Sequence, residues 1–222
     1  MNDVIRGAYA GKEPWTAPSS VEYVDDIVSI RGLYSAVTNI VVLRRQLSNK
    51  LRQEAAALVQ AGARRDLGTL RPDASGRTGV AASFIGLPSL ADDIYVWSEV
   101  LAELTGCELV GYRLACISTA MCPRFHVDKV LVRVVCTLSG CGTEFLASED
   151  VDRSWLGVAD AGPSDEASGL LRNGPRIRSA DPGHVVFLKG EAWPDNHGNG
   201  AVHRSPDVSE GSRLVLTLDA LG

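Results

Sequence analysis

The sequence has no apolar run near the ~18 residues needed to span a bilayer. Its N-terminus has no basic start followed by an apolar stretch. Neither a membrane segment nor a secretory signal is expected. Positive charge is not in excess: 22 Lys and Arg against 27 Asp and Glu give a net charge of −5. A general nucleic-acid binder needs a basic face to displace counterions, so no nucleic-acid partner is expected, and no polybasic membrane surface. The five cysteines contain no C-x-x-C pair. Their odd number argues against a disulfide framework, and their spacing against a zinc ribbon, so a cytoplasmic protein with reduced thiols is expected. G-x-S-x-G, G-x-x-x-x-G-K-[ST] and G-x-G-x-x-G are all missing. Their absence removes the common serine-hydrolase, P-loop and dinucleotide-binding chemistries.

What is present is a chain of 222 residues, 45% of them hydrophobic, enough for one generous domain or a core with an appended helical region. Residues 1–24, with Pro14, Pro18, Ser19 and Ser20, read as a loose entry. From Ser35 to Gly62 a stripe of Val37, Ile40, Val41, Leu47, Leu51, Ala55, Leu58 and Val59 predicts a helix. Residues 63–88, rich in Gly and Pro, read as an irregular connection. A second helix is predicted after Ser89 as N-cap, with Asp92 and Asp93 in its first turn and Gly106 as its stop. Beyond Gly106 the texture is β: Glu108–Ile117, Phe125–Leu138, Thr143–Ala147, His184–Lys189 and Ser212–Asp219. Segment 148–182 reads as a polar insertion. Short strands without intervening helices favour an antiparallel barrel or jelly roll. The expected division is an N-terminal helical region, 1–106, packed on a barrel, 107–222.

Two of the four histidines stand in suggestive places. In His126-Val127-Asp128 a strand would turn the imidazole and the carboxylate to one face. His203 follows 77 residues later, after the glycine-containing loop 196–200. Two imidazoles and one carboxylate on one face of a metal leave the opposite face open, the arrangement of non-haem Fe(II) oxygenases. The plain alternatives are a His–Asp pair bracing a strand and an exposed loop histidine. Arg213 lies ten residues beyond His203 and opens an apolar strand. Buried there, its guanidinium needs an anionic partner. That partner is either a dicarboxylate chelating the metal at its other end or a protein carboxylate such as Glu144 or Asp219. Arg133 is expected on the opposite strand face, because its offset from Asp128 is odd.

The order H-x-D, glycine-containing turn, Pro-Gly turn into an apolar strand, His, then Arg at +10 resembles the Fe(II)/2-oxoglutarate-dependent oxygenase superfamily. The resemblance covers roughly 107–219. It implies a mainly β fold with N-terminal helices, a double-stranded β-helix of the jelly-roll or cupin-like kind. It also implies Fe(II) held by His126, Asp128 and His203 as the catalytic set, with 2-oxoglutarate as co-substrate held partly by Arg213. More narrowly, Cys122-Pro-Arg-Phe-His-Val-Asp-Lys-Val130, Ser154-Trp-Leu-Gly157, Lys189-Gly-Glu-Ala-Trp-Pro194 and Ala201-Val-His-Arg-Ser-Pro206 are similar to an uncharacterised bacterial domain-of-unknown-function family, number eighteen-twenty-six. That likeness implies no settled activity.

Further candidates surround this set. Tyr112 stands where it would hydrogen-bond the co-substrate, or is a packed aromatic. Lys189, Glu191 and Trp193 share a face if their strand continues, and would then line the barrel mouth and bind substrate; the alternative is an ordinary lysine beside a core tryptophan. Cys122, four residues before His126, could approach the metal. His184 and His197 read as turn and loop residues. The expected activity is hydroxylation of an unidentified small molecule or peptide. The competing reading is a non-catalytic zinc- or other metal-binding protein on the same barrel, linked to metal homeostasis.

Overall fold

Alternation along three long strands sets the architecture. β4 (Leu109–Ile117) and β5 (Val132–Ser139) flank β10 (Arg213–Leu221), both antiparallel to it. Val110, Leu114, Val132, Val134, Leu216 and Leu218 point to one core, while Ala115, Val135 and Val215 point to another. A strand presents successive side chains to opposite faces, so these strands are buried on both sides. The computed structural model describes residues 19–62, 65–156, 163–172, 176–208 and 211–221. Within them the large sheet has the order β1-β2-β8-β5-β10-β4-β3. The added strands are β1 (Val21–Val24), β2 (Ile40–Leu43), β3 (Arg65–Leu70) and β8 (Val185–Lys189).

A second sheet, β7 (Arg178–Ser179), β6 (Glu144–Leu146) and β9 (Val202–Arg204), lies over the inner face. Phe145, Ala147 and Ala201 meet Val42, Val135, Val186 and Val215 between the two sheets. The outer side of the small sheet packs Leu146 and Val202 on Phe125, Val151 and Leu170. The result is a double-stranded β-helix.

Helices cover the other face of the large sheet. α1 (Asn49–Gln60) starts where Ser48 Oγ accepts the Leu51 N–H, and buries Leu51, Ala55 and Leu58 at helical spacing. α2 (Ala74–Ser83) is capped by Asp73. α3 (Pro88–Thr105) carries Pro88 in its first turn and ends at Gly106 in the left-handed region, φ 73°. No helix among the described residues is long and apolar enough to cross a membrane.

Several sequence expectations change. Residues 40–43 form a strand and not the first turns of a helix. Ile40 and Val42 face the inner core, Val41 and Leu43 the helical one; a doubly buried strand shows no alternation that would distinguish it from a helix. The expected irregular connection contains β3 and α2. The expected entry segment contains β1, and its residues 1–18 lie outside the described residues. Thus the region before 107 supplies three strands of the large sheet besides its helices. Ser89 lies inside α3, whose N-cap is Leu87. Asp93 is not a solvated first-turn acid: it is buried and takes both forks of Arg45, with Nη2–Oδ2 2.8 Å. Within the insertion, α4 (Asp165–Ser168) and β7 form, while 157–162 and 173–175 lie outside the described residues.

Candidate metal centre

His126 stands outside any regular strand. It makes an isolated bridge with His203 on β9, closed by two 3.0 Å backbone hydrogen bonds between them. That bridge brings the two rings to a 4.5 Å centroid separation. His126 Nδ1 lies 2.9 Å from the Arg124 carbonyl, and His203 Nδ1 lies 3.1 Å from the Ala201 carbonyl. A carbonyl only accepts, so each Nδ1 carries a proton, and each Nε2 is the atom left to meet Asp128.

Both Nε2 atoms meet Asp128. His203 Nε2 is 3.1 Å from Oδ2, and His126 Nε2 is 3.9 Å from Oδ1. One ligand atom from each of the three residues lies within 4.8 Å of the others. Burial alone would raise the Asp128 carboxyl. The His203 hydrogen bond and the charges of His203, Arg133 and His126 outweigh it and hold the group at about 2. Burial, then the neighbouring His203, lowers His126. A cation bound here would replace any proton on the Nε2 atoms and take the ionised Asp128 carboxylate as its third ligand.

The loop carrying Asp128 is fixed by backbone. Between the bridge at His126 and the start of β5 at Val132, the chain leaves the sheet. The Gly190 N–H donates to Leu131 O, the Glu191 N–H to Asp128 O and the Ala192 N–H to Val130 O, at 2.9, 2.9 and 3.2 Å. A Cβ on Gly190 would collide with the Val130 carbonyl, so only glycine permits this approach. The segment around Gly190 is among those that carry the family likeness, but the glycine itself carries no sequence signal for this role.

Arg213 is 1% exposed. Its Nη2 donates to Thr137 Oγ1 and Thr143 Oγ1, each at 3.0 Å, and its buried Nε has no partner. Neither expected carboxylate pairs with it. Glu144 takes Arg204 at 2.6 Å, and Asp219 takes Arg133 at 2.7 and 2.9 Å. Burial lowers the Arg213 guanidinium to about 10. Arg213, His126 and His203 line one cavity of about 70 Å³.

Arg133 corrects the parity argument. It faces the cavity and donates to Asp128 Oδ2 at 2.8 Å. Counting from Asp128 fails because 127–131 is not strand. Tyr112 also changes place: it lies on the helical face, against Phe84 at 5.9 Å, so it is no co-substrate contact from the cavity side. Lys189, Glu191 and Trp193 do not share a face, because β8 ends at Lys189. Lys189 is 2% exposed, donates through Nζ to Ser35 O at 2.8 Å and sits 5.6 Å from the Trp193 ring. Trp193 packs on Tyr34. Glu191 remains beside the Asp128 loop through its backbone alone. None of the three lines the cavity. Cys122 lines it without joining the three-ligand cluster.

The donor set fits a divalent cation: two imidazole Nε2 atoms turned to one point, one ionised carboxylate and, among the described residues, no fourth protein ligand in the cluster. The orphaned Nε of Arg213 fits a small anion in the same cavity.

Comparison with solved structures finds similar folds at low identity. The dioxygenase for auxin oxidation of rice matches with a TM-score of 0.53 at 12% identity, over 91% of this chain and 83% of that one. The dioxygenase for auxin oxidation 1 of Arabidopsis thaliana, in a binary complex with 2-oxoglutarate, matches at 0.51 and 9% identity, over 91% and 92%. A full-length Neurospora crassa protein in complex with alpha-KG matches at 0.50 and 11%, over 92% and 88%. A comparison with curated proteins gives no significant match. The family described as "Protein of unknown function (DUF1826)" matches residues 24–219, a span that holds the large sheet apart from the first three residues of β1 and the last two of β10, together with the His126–Asp128–His203 cluster. The chain therefore belongs to the DUF1826 family, built on the double-stranded β-helix.

Proposed function

We propose that the protein is an Fe(II)/2-oxoglutarate-dependent oxygenase. The observation that carries this reading is Arg213, a buried guanidinium that forms no ion pair among the described residues and opens into the cavity of the two histidines. A buried charge without an anionic partner is costly, because nothing repays its desolvation. A dicarboxylate chelating a cation at one end and pairing with Arg213 at the other supplies the missing anion. A site for zinc alone would leave Arg213 unexplained.

His126, Asp128 and His203 would hold Fe(II), and Arg213, with Thr137 and Thr143 orienting its fork, would hold the distal carboxylate of 2-oxoglutarate. When bound, iron and 2-oxoglutarate supply O₂-dependent C–H hydroxylation, one oxygen atom going to substrate and one to succinate as CO₂ leaves. The chain's own contributions are positional. Arg124 O and Ala201 O fix the imidazole tautomers. Arg133 orients Asp128 while Asp219 neutralises it in turn.

The test is anaerobic addition of 2-oxoglutarate to the Fe(II)-loaded protein. A visible charge-transfer band is expected, and it should vanish in Arg213→Ala while metal content stays near one per chain. Tight zinc binding with no response to 2-oxoglutarate would leave the metal-binding reading in its place.

A further inference from the structure

Arg113 stands on β4 opposite Thr217 on β10 and Leu67 on β3, and Thr217 faces Val135 on β5. These four residues form one row across four adjacent strands, with side chains on the same face. Gly111 and Ala115 precede and follow Arg113 on that face, so little bulk stands beside its guanidinium. Arg113 lines the cavity of His126 and His203 and also an open groove of about 470 Å³ along the β3 edge. Among the described residues no other side chain lines both.

Its charge is unanswered. Nη2 reaches Thr217 Oγ1 at 3.5 Å, the limit of a hydrogen bond, and Nε is buried without a partner. Among the described residues no carboxylate forms an ion pair with it, whereas the neighbouring Arg133 is neutralised by Asp128 and Asp219. The groove offers apolar surface, Leu67 being 60% exposed and Leu221 37%, beside Arg65 and the Asp219 carboxylate that Arg133 holds.

We propose that Arg113 is the substrate's anchor, and that the substrate is an organic acid. Its carboxylate pairs with Arg113, and its apolar body lies in the groove on Leu67 and Leu221. The assignment rests on the oxygenase reading above. Arg213 lies four residues along β10 from Thr217, about 13 Å at strand rise, so a co-substrate held there leaves Arg113 to a second anion. One guanidinium edge matches the two oxygens and single charge of a carboxylate.

The test uses full-length Ni(II)-loaded protein saturated with 2-oxoglutarate, titrated calorimetrically with hexanoate and phenylacetate and with the isosteric amides hexanamide and phenylacetamide. The acids should bind about tenfold or more tightly than the amides, the worth of one charge-assisted pair. Arg113→Gln should bring acid and amide within about twofold of each other while 2-oxoglutarate binding is unchanged; that unchanged binding also reports that the variant is folded. Should Arg113→Gln be unstable, Arg113→Lys keeps the charge and loses the fork, and should narrow the same ratio. No acid preference in the wild type, or one that survives in Arg113→Gln, overturns the proposal. Loss of 2-oxoglutarate binding in a folded Arg113→Gln also overturns it, by making Arg113 a co-substrate residue. If the wild type does not take up 2-oxoglutarate, the oxygenase reading fails, and the acid-over-amide ratio without 2-oxoglutarate still decides the role of Arg113.

Discussion

His203 Nε2 and Asp128 Oδ2 stand 3.1 Å apart, joining β9 to a loop that enters β5. Asp128 Oδ2 also receives the Arg133 guanidinium at 2.8 Å. One carboxylate thus answers two imidazoles and a guanidinium. Its position depends on backbone contacts from residues 190–192 as much as on its own neighbours.

Gly190→Ala should therefore damage the site from a distance. The added Cβ meets the Val130 carbonyl and pushes the Asp128 loop away. Metal affinity should fall at least tenfold, about 1.4 kcal/mol or more, while the circular dichroism spectrum keeps its β signature. Metal titration beside spectra of the variant checks this.

Arg213→Met should make the ligand-free protein more stable. Replacing a buried unpaired charge by an apolar side chain of similar length removes a desolvation cost of roughly 1–3 kcal/mol. The same variant should lose the rise in melting temperature that 2-oxoglutarate gives the wild type. Thermal denaturation with and without 2-oxoglutarate measures both effects, and equal ligand-induced shifts in the two proteins would count against the assigned role.

Asp93→Ala should separate folding from function. It strands Arg45, whose fork holds Asp93 and Cys136 beneath the helices. Breaking such a pair costs about 3–5 kcal/mol. Chemical denaturation should show that loss, with metal stoichiometry unchanged at temperatures where the variant is folded.

The metal-free protein should lose stability as pH falls below the ordinary imidazole value of 6.5. Burial, followed by the His203 charge, lowers the folded-state value of His126, so between the two values the unfolded chain binds more protons and stability rises with pH. The contribution is complete above 6.5 and disappears as pH falls through the lowered value. Denaturation midpoints from pH 5 to 8, compared with those of His126→Gln, should show the slope only in the wild type.

Cysteine reactivity should divide by burial. Desolvation, partly offset by Arg45, pushes the Cys136 thiol up to about 11, so at pH 8 almost no thiolate is available. Cys122 is exposed at the cavity rim. Alkylation followed by mass spectrometry should label Cys122 and spare Cys136 in the native state.

Spacing made much of the centre legible. His126, Asp128, His203 and Arg213 are visible as residue types in an order that suits an open metal site, and the strands expected over 108–117 and 212–219 form over 109–117 and 213–221. What stayed hidden was whatever depends on chain crossing itself. Residues 40–43 are apolar on both faces, so their period is silent. Arg133 was assigned to the wrong face because parity holds only within an unbroken strand, and 127–131 breaks it. For Lys189 the sequence leaves open a rim role and an ordinary lysine beside a core tryptophan; the end of β8 and the Ser35 carbonyl draw it into the helical side, beside Trp193. Arg113 carries no local signal; its meaning comes from Thr217 and Leu67 on neighbouring strands.

The most direct measurement is cobalt titration of metal-free protein, followed by the d–d absorption spectrum and mass-spectrometric metal content, for the wild type, Asp128→Ala and His203→Ala. One Co(II) per wild-type chain is predicted, with a spectrum sensitive to added 2-oxoglutarate, and at least a tenfold weaker site in each variant. Equal binding by all three proteins, or no binding by the wild type, would contradict a cation shared by these side chains.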